Sequence, residues 1–291
     1  MRSRVVGGRY LLLAELGRRG FGPAFRAEDR ITGRQVVVTE IALPDPPHGA
    51  SGDAERPDTL RDRLLNEVRT AGRLRHPGVV PVQDLVADRG RDGSLREHLV
   101  TERPEARSVT ESLADGPMPP WTVAAVGRDV LAALRAMHDH GVVHGSLTPD
   151  CVLVTTDGRA LVTDIGLARA VGPRPPGTHG CVDPGAFVAP ERRAGGPDTP
   201  SGDLWSLGVV LHHAIGRRPP ANGPLAEALT GLTASDPLHR IGAADAAALL
   251  ERAARPRTTS GDLGRSRRLL LGAAAVLFLI VVGMLVLVIG F

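Results

Sequence analysis

The hydrophobic pattern of the chain changes type part-way along its length, and this change limits the possible folds more than any other feature. Before about residue 104, runs rich in Leu, Val and Ile predict strands at Tyr10–Leu16, Gln35–Leu43, Val79–Val86 and Leu95–Thr101. Farther along, apolar residues recur at helical spacing. The sequence therefore predicts an α+β fold with a β-rich first lobe and an α-helical second lobe.

Within this pattern, helices and loops can be assigned more closely. Arg61–Leu74 carries apolar residues at helical spacing, and a long amphipathic segment runs from Trp121 to Gly141, where the glycine favours the end of a helix. Gly17–Gly22 predicts a turn between strands. Residues 44–60 are rich in Pro, Gly and Asp and predict a loop.

The last 23 residues, 269–291, contain no charged or strongly polar side chain. As a helix they would extend about 35 Å, enough to cross a hydrocarbon layer of about 30 Å. The alternative is a buried C-terminal helix, but a soluble core helix need not be apolar on every face. We expect one transmembrane helix after a linker, 253–268. Because Arg265, Arg267 and Arg268 precede the span, we expect the rest of the chain on the cytoplasmic side of the cell membrane.

All 35 basic residues are arginine, and the sequence contains no lysine. Reactions that need an ε-amine, to grip a phosphate or to form a Schiff base, are therefore excluded. The formal net charge is only +3, and acidic residues are mixed among the arginines, so we expect no nucleic-acid partner. The cysteines, Cys151 and Cys181, match neither a disulfide framework nor a metal-binding spacing.

Seven motifs follow one another in the order typical of protein kinases. They are YLLLAELGRRGFGPAFRAED, NEVRTAGRLRHPGVV, HGSLTPDCVLV, TDIGLAR, FVAPE, SGDLWSLGVVLHHAIGRRPP and DPLHRIGAADAAALL. Over residues 10–252 the chain resembles the membrane-anchored, eukaryotic-like Ser/Thr protein kinases of bacteria. The resemblance implies a kinase-like N-lobe at 1–103 and a C-lobe at 104–252. The C-lobe is shortened, because Pro220 and Asp236 leave room for one helix where the family has two.

At most positions that transfer phosphate in that family, this sequence carries a different residue. The phosphate-holding Lys corresponds to Thr39, and the Asp that accepts the substrate proton corresponds to Ser146. The catalytic-loop Lys corresponds to Thr148, and the metal-binding Asn to Cys151. A serine hydroxyl cannot accept a proton near neutral pH, and a thiol is a poor ligand for Mg²⁺. The resemblance therefore implies a degenerate member, a pseudokinase, in which Cys151 is either a weak substitute ligand or a small buried apolar residue.

Other positions match the nucleotide-binding residues of the family, namely Gly17, Gly20, Gly22, Glu67 and the metal-binding Asp164. Arg19 replaces the middle glycine of the loop, and it either faces solvent or contacts phosphate in place of the missing cation. Glu67 lacks its lysine partner, so a solvated helix residue is the alternative. Asp164 either binds Mg²⁺ weakly, as a lone carboxylate, or stabilises a turn.

Four positions correspond to residues that hold the large lobe of the family together: His144, Glu191, Asp203 and Arg240. The resemblance implies that Asp203 fixes the catalytic loop and that Glu191 and Arg240 form an ion pair. Between Asp164 and Glu191 the only hydroxyl-bearing residue is Thr178, the sole candidate there for phosphorylation.

Three functions agree with this pattern. The favoured one is a membrane-anchored pseudokinase that binds a cytoplasmic protein as a regulatory scaffold in signalling, because the residues for folding are kept and those for phosphate transfer are not. It requires no cofactor, and ATP and Mg²⁺ would bind at low affinity. The alternatives are a weakly active, atypical Ser/Thr protein kinase and a non-catalytic ATP-binding switch.

Overall fold

The structure is a computed structural model, and it describes residues 4–19, 21–41, 57–89, 93–167 and 184–255. By its contacts the chain divides into two units, 1–254 and 255–291, and all but one of the described residues belong to the first. The segment 269–291, predicted to cross the membrane, lies outside the described residues. Within them, no helix has the length and apolar character that a membrane span needs.

The first lobe is a six-stranded antiparallel sheet with one helix against it. Its elements are β1 (Val5–Val6), β2 (Tyr10–Arg19), β3 (Gly22–Asp29), β4 (Gln35–Ile41), α1 (Pro57–Arg73), β5 (Val82–Arg89) and β6 (Leu95–Glu102). The sheet order is β1-β2-β3-β4-β6-β5, and α1 contacts β5. The predicted β-rich lobe is therefore confirmed.

The turn predicted at Gly17–Gly22 is wrong in extent, because both strands continue into it. Gly17 pairs with Ala24, and Arg19 pairs with Gly22, so that only two residues separate β2 from β3. A register shift between Glu15 and Gly17 accommodates the glycine within the strand. Backbone pairing across the hairpin therefore overrides the local turn signal.

Two other boundaries and one whole strand also differ from the predictions. Helix α1 begins at Pro57, inside the predicted loop 44–60, because proline is tolerated in the first turn of a helix. The strand predicted to start at Val79 starts instead at Val82, the first residue of β5. Val79 forms an isolated parallel bridge with Val162 of the second lobe. The two-residue strand β1 was not predicted, because it is too short to show a hydrophobic period.

The second lobe is mainly helical. Its elements are β7 (Ala106–Ser108), α2 (Val109–Ser112), α3 (Pro120–Asp139), β8 (Val152–Thr155), β9 (Ala160–Val162), α4 (Pro190–Arg193), α5 (Pro200–Ile215), α6 (Pro224–Leu232) and α7 (Ala243–Ala254). Strands β7, β8 and β9 form a small antiparallel sheet. As the short spacing predicts, α6 is the only helix between Pro220 and Asp236, a segment the structure describes throughout.

Helix α3 is the centre of the second lobe and contacts α5, α7 and β9. Its buried face includes Val123, Val130 and Leu134, none of which has exposed surface. Gly127 allows a close approach to α5, since a Cβ atom there would lie 2.7 Å from Leu211 Cδ1. This packing holds in place the loop that follows α3, which carries most of the candidate site.

Candidate functional site

A buried carboxylate on α5 fixes the loop between α3 and β8. Asp203 Oδ2 accepts a hydrogen bond from the backbone N–H of His144 (2.9 Å), and Oδ1 accepts one from Gly145 (2.9 Å). His138 Nε2, on α3, lies 2.8 Å from Oδ2 and donates the third. Asp203 is 1% exposed, and these three donors offset the cost of burying its charge. This is the tie that the sequence predicts for Asp203, although it gives no signal for His138.

His144 connects the same loop to the residue that follows β9. The backbone N–H of Ser146 donates to Nδ1 (3.3 Å), so Nε2 carries the proton and donates to the carbonyl oxygen of Thr163 (3.1 Å). The ring is fully buried. Because both ring nitrogens bond to the backbone, His144 supports the loop and is not placed to exchange a proton with a bound molecule.

The residues at the catalytic-loop positions meet Asp164 in one small polar site. Cys151 Sγ lies 3.5 Å from Thr148 Oγ1 and 3.7 Å from the carbonyl oxygen of Ser146. It also lies 4.0 Å from Asp164 Oδ2. Asp164 has a φ of +62°, a left-handed conformation that is uncommon outside glycine. The structure thus brings four predicted positions together, because the Cys151 thiol lies near the Thr148 hydroxyl, the Ser146 carbonyl oxygen and the Asp164 carboxylate.

The chemistry of this site differs from that of a magnesium–nucleotide site. Ser146 Oγ is buried and has no hydrogen-bond partner among the described residues, and as a neutral hydroxyl it is not a base. Mg²⁺ prefers oxygen ligands in octahedral geometry, whereas Cys151 offers sulfur 4.0 Å from the Asp164 carboxylate. The described ranges contain no group of three or more His, Cys, Asp or Glu residues that could hold a metal. A thiol beside a carboxylate is a poorer ligand pair for Mg²⁺ than the two oxygen ligands that the kinase family has at these positions.

On the small-lobe side, the position of the family's phosphate-holding lysine carries a neutral, buried side chain. Thr39 lies on β4, 3% exposed, between Ala24 of β3 and Leu99 of β6. Glu67 on α1 is close to the segment after Asp164, since its Oε2 lies 3.0 Å from the position that a Cβ atom would take on Gly166. Helix α1 is therefore near the site, but the chain has no lysine with which Glu67 could pair.

A different ion pair connects α1 to the sheet. Arg61 Nε lies 2.5 Å from Glu97 Oε1, and the Glu97 side chain is 4% exposed. The two residues belong to α1 and β6, 36 positions apart, and no motif links them. Sequence reasoning therefore missed this contact, which holds α1 against the lobe.

The glycine-rich hairpin lies close to β4. A Cβ atom on Gly22 would come within 1.8 Å of the carbonyl oxygen of Glu40, so this approach requires glycine. Gly17 has a φ of +98°, which also favours glycine. The remaining predicted loop positions, Gly20 and the side chain of Arg19, lie outside the described residues, as does Thr178.

Glu191 and Arg240 form the ion pair that the sequence predicts. Arg240 Nη1 and Nη2 donate to Glu191 Oε1 and Oε2 at 2.7 and 3.0 Å, and Nη1 also donates to the carbonyl oxygen of Ser201 (2.8 Å). This bidentate geometry is the stronger form of a charge-assisted pair. The guanidinium holds the pKa of Glu191 below its ordinary value.

Comparison with known proteins agrees with this arrangement. The family model of the protein kinase domain matches residues 10–243. The chain belongs to the protein kinase family.

Bacterial kinases are among the relatives of this kinase domain. It is 35% identical to the DNA damage-responsive serine/threonine-protein kinase RqkA of Deinococcus radiodurans, over 75% of this chain and 31% of that protein. It is 34% identical to the serine/threonine-protein kinase PkaA of Streptomyces coelicolor, over 76% and 41%. With the probable serine/threonine-protein kinase PknB of Corynebacterium glutamicum it shares 29% identity, over 75% and 33%. The chain spans about a third of the length of these relatives.

Protein kinases use ATP and Mg²⁺, and they transfer phosphate by positioning and charge neutralisation. In this kinase domain the supporting contacts of Asp203, His144 and the Glu191–Arg240 pair are all formed. At the described positions that hold phosphate or metal in the family, this chain has Thr39, Cys151 and the carboxylate of Asp164.

Proposed function

We propose that this kinase domain is a pseudokinase, which binds a protein partner as a regulatory scaffold and does not transfer phosphate. The observation that carries the proposal is the composition of the site around Asp164. A hydroxyl, Ser146, occupies the position of the base, and a thiol, Cys151, lies 4.0 Å from the carboxylate where a second metal ligand is needed. A carboxylate base and a second oxygen ligand for the metal are therefore missing at these two positions, so neither proton acceptance nor metal binding has a suitable residue there.

The intact framework supports a role in binding. The contacts of Asp203 and the Glu191–Arg240 pair stabilise the large lobe, and a folded lobe presents a defined surface to a partner. The apolar segment 269–291 would confine that surface to the cytoplasmic face of the cell membrane. Confinement raises the effective concentration toward neighbouring membrane proteins without any new contact.

Phosphate transfer is the direct test. Purified full chain is incubated with γ-labelled ATP and Mg²⁺, alone and with a library of Ser/Thr peptides, beside an Asp164→Ala control. We expect the two proteins to incorporate equal, background amounts of label. Reproducible incorporation that disappears in Asp164→Ala would refute the proposal.

The membrane anchor needs a separate test. We expect the full chain, expressed in bacteria, to remain in the membrane pellet after alkaline extraction, because a transmembrane helix resists it. A chain ending at residue 268 should move to the supernatant. Equal extraction of the two would contradict the anchor while leaving the pseudokinase proposal unaffected.

A slow but active Ser/Thr kinase is the second candidate. It is favoured by relatives that are named serine/threonine kinases and by the retention of Glu67 and Asp164. If the transition state is loose, transfer does not strictly need a base, but the rate should fall far below the usual ~1–100 s⁻¹.

A nucleotide-binding switch would show binding without transfer. Thermal unfolding with millimolar ATP, with and without Mg²⁺, separates this function from the scaffold. A nucleotide-dependent rise in Tm that is lost in Gly22→Asp would favour the switch. No rise in Tm favours the scaffold.

A further inference from the structure

Helices α3 and α5 run antiparallel, so that the start of α3 and the end of α5 share one end of the helical lobe. The backbone N–H of Met118, just before α3, donates to the carbonyl oxygen of Ala214 on α5 (2.9 Å). Near the other end of the two helices, His138 contacts Asp203. The segment that leads into α3 therefore lies beside the last turn of α5.

This end of the lobe carries an exposed aromatic side chain and exposed arginines. Trp121, in the first turn of α3, is 55% exposed. Arg217 and Arg218 follow α5 directly, and both are exposed. Gly216, which ends α5, lies against Pro117 of the segment that leads into α3, since a Cβ atom on it would lie 3.1 Å from the Pro117 ring. We call the surface formed by Trp121, Arg217 and Arg218 the basic end of the lobe.

The positive charge of the basic end is not neutralised within the lobe. Two other arginines of the helical lobe have acidic partners: Arg252 lies 3.6 Å from Glu227, and Arg128 lies 3.6 Å from Glu251. In the described part of the chain, the two arginines of the basic end have no carboxylate partner. Exposed guanidiniums beside an exposed indole therefore present positive charge together with an amphipathic ring.

Helix α7 ends close to the same surface. Leu211 Cδ1, in the last turns of α5, and Leu250 Cδ2, in the last turns of α7, would lie 2.7 and 3.1 Å from a Cβ atom on Gly127. Both helices end four residues after these leucines. The described part of the chain therefore ends near the basic end, and the predicted membrane segment follows it in the sequence at 269–291.

We propose that the basic end rests on anionic lipid headgroups, with the Trp121 indole at headgroup level and Arg217 and Arg218 against lipid phosphates. Tryptophan is enriched where a protein meets the membrane–water interface, and arginine is attracted to the negative surface of the cytoplasmic leaflet. The inference rests on the membrane anchor of the proposed function and adds the surface that meets the lipid. An acidic protein is the alternative occupant. The position of the end of α7 favours the lipid, because an anchor would hold that end near the membrane.

Tryptophan fluorescence of the full chain tests the proposal. The chain is reconstituted into vesicles of phosphatidylcholine brominated high in its acyl chains, with or without phosphatidylglycerol. With phosphatidylglycerol, bromine should quench part of the wild-type emission, and this part should be absent in Trp121→Phe, which keeps only Trp205. Without the anionic lipid, the wild type should lose this part of the quenching. Equal quenching of wild type and Trp121→Phe in the anionic vesicles would overturn the proposal.

Charge variants at exposed positions test the role of the arginines. The double variant Arg217→Gln with Arg218→Gln should lose most of the Trp121 quenching, because each arginine near an anionic surface strengthens binding about fivefold. Arg30→Gln with Arg34→Gln, at exposed positions between β3 and β4, removes the same charge from the other lobe and is the matched control. Its quenching should equal that of the wild type. Equal quenching in the two double variants would overturn the assignment to the basic end.

The lipid surface and the anchor can fail separately. If the full chain resists alkaline extraction but wild type and Trp121→Phe are quenched equally, the lipid surface fails and the anchor stands. If alkali extracts the full chain but anionic vesicles still quench Trp121, the lipid surface stands and the anchor fails. Neither result affects the pseudokinase proposal, which label transfer tests.

Discussion

The substitution Asp203→Asn tests whether one buried carboxylate organises the candidate site. The carboxylate accepts hydrogen bonds from the backbone N–H groups of His144 and Gly145 and from His138 Nε2. Asparagine offers one carbonyl oxygen and an NH₂ group, so at least one N–H would face another donor. With the amide oxygen at the Oδ2 position, the bond from Gly145 is lost, and the bonds from His144 and His138 lose their charged acceptor. A hydrogen bond to a charged group contributes ~1.5–3 kcal/mol, so the lost bond and the two weakened bonds together should lower the unfolding free energy by about 4 kcal/mol.

Chemical and thermal unfolding, followed by far-ultraviolet circular dichroism, measure this loss. At ~2–4 °C per kcal/mol for a domain of this size, Tm should fall by about 10 °C. Asp62→Asn, an exposed aspartate on α1, is the matched control and should change the free energy by less than about 0.5 kcal/mol. If Asp203→Asn stays within about 1 kcal/mol of that control, the carboxylate does not organise the loop.

Two further substitutions test the ion pairs. Arg61→Gln leaves the buried Glu97 carboxylate without this arginine, so the backbone amides of α1 should exchange with solvent about tenfold faster. The matched control Arg69→Gln, at an exposed position of α1, should leave this exchange unchanged. Equal exchange in the two variants would contradict a role of the Arg61–Glu97 pair in holding α1 against the sheet. Arg240 lowers the pKa of Glu191, so the pair stabilises the fold above the ordinary Glu pKa of about 4.3 and loses this effect as pH falls through the lower folded value. Glu191→Gln should therefore cost about 3 kcal/mol at neutral pH and less toward pH 3, and a difference independent of pH would count against the pair.

Local patterns were enough to predict the two lobes. The strands at β2, β4 and β6 and the helix α3 lie where periodicity placed them, because each buries one face and its period is visible within a few residues. The extension of β2 past Gly17 was not visible. This extension depends on pairing with β3, which lies farther along the chain. A glycine such as Gly17 usually indicates a turn, but here the strand accommodates it at a register shift.

The candidate site could be predicted from the sequence only at the positions that the order of the kinase motifs identifies. The order of motifs indicated that Ser146, Thr148, Cys151 and Asp164 belong together, and the structure places them in contact. The burial of Phe21 could not be inferred in this way.

Long-range partners account for the rest of what was missed. Phe21 packs with residues of β4, α1 and β6, and Arg61 meets Glu97 across 36 positions. His138 reaches Asp203 across 65 positions. Such contacts depend on how the elements pack, and no local spacing encodes them. The aromatic residue between two glycines was the one available signal for Phe21, but it does not distinguish an exposed tip from a buried one.

Label transfer from ATP tests the proposed pseudokinase function of this kinase domain most directly. The full chain should incorporate no more label than Asp164→Ala, over hours and at millimolar ATP and Mg²⁺. Time-dependent incorporation by the wild type that is absent in Asp164→Ala would contradict the claim.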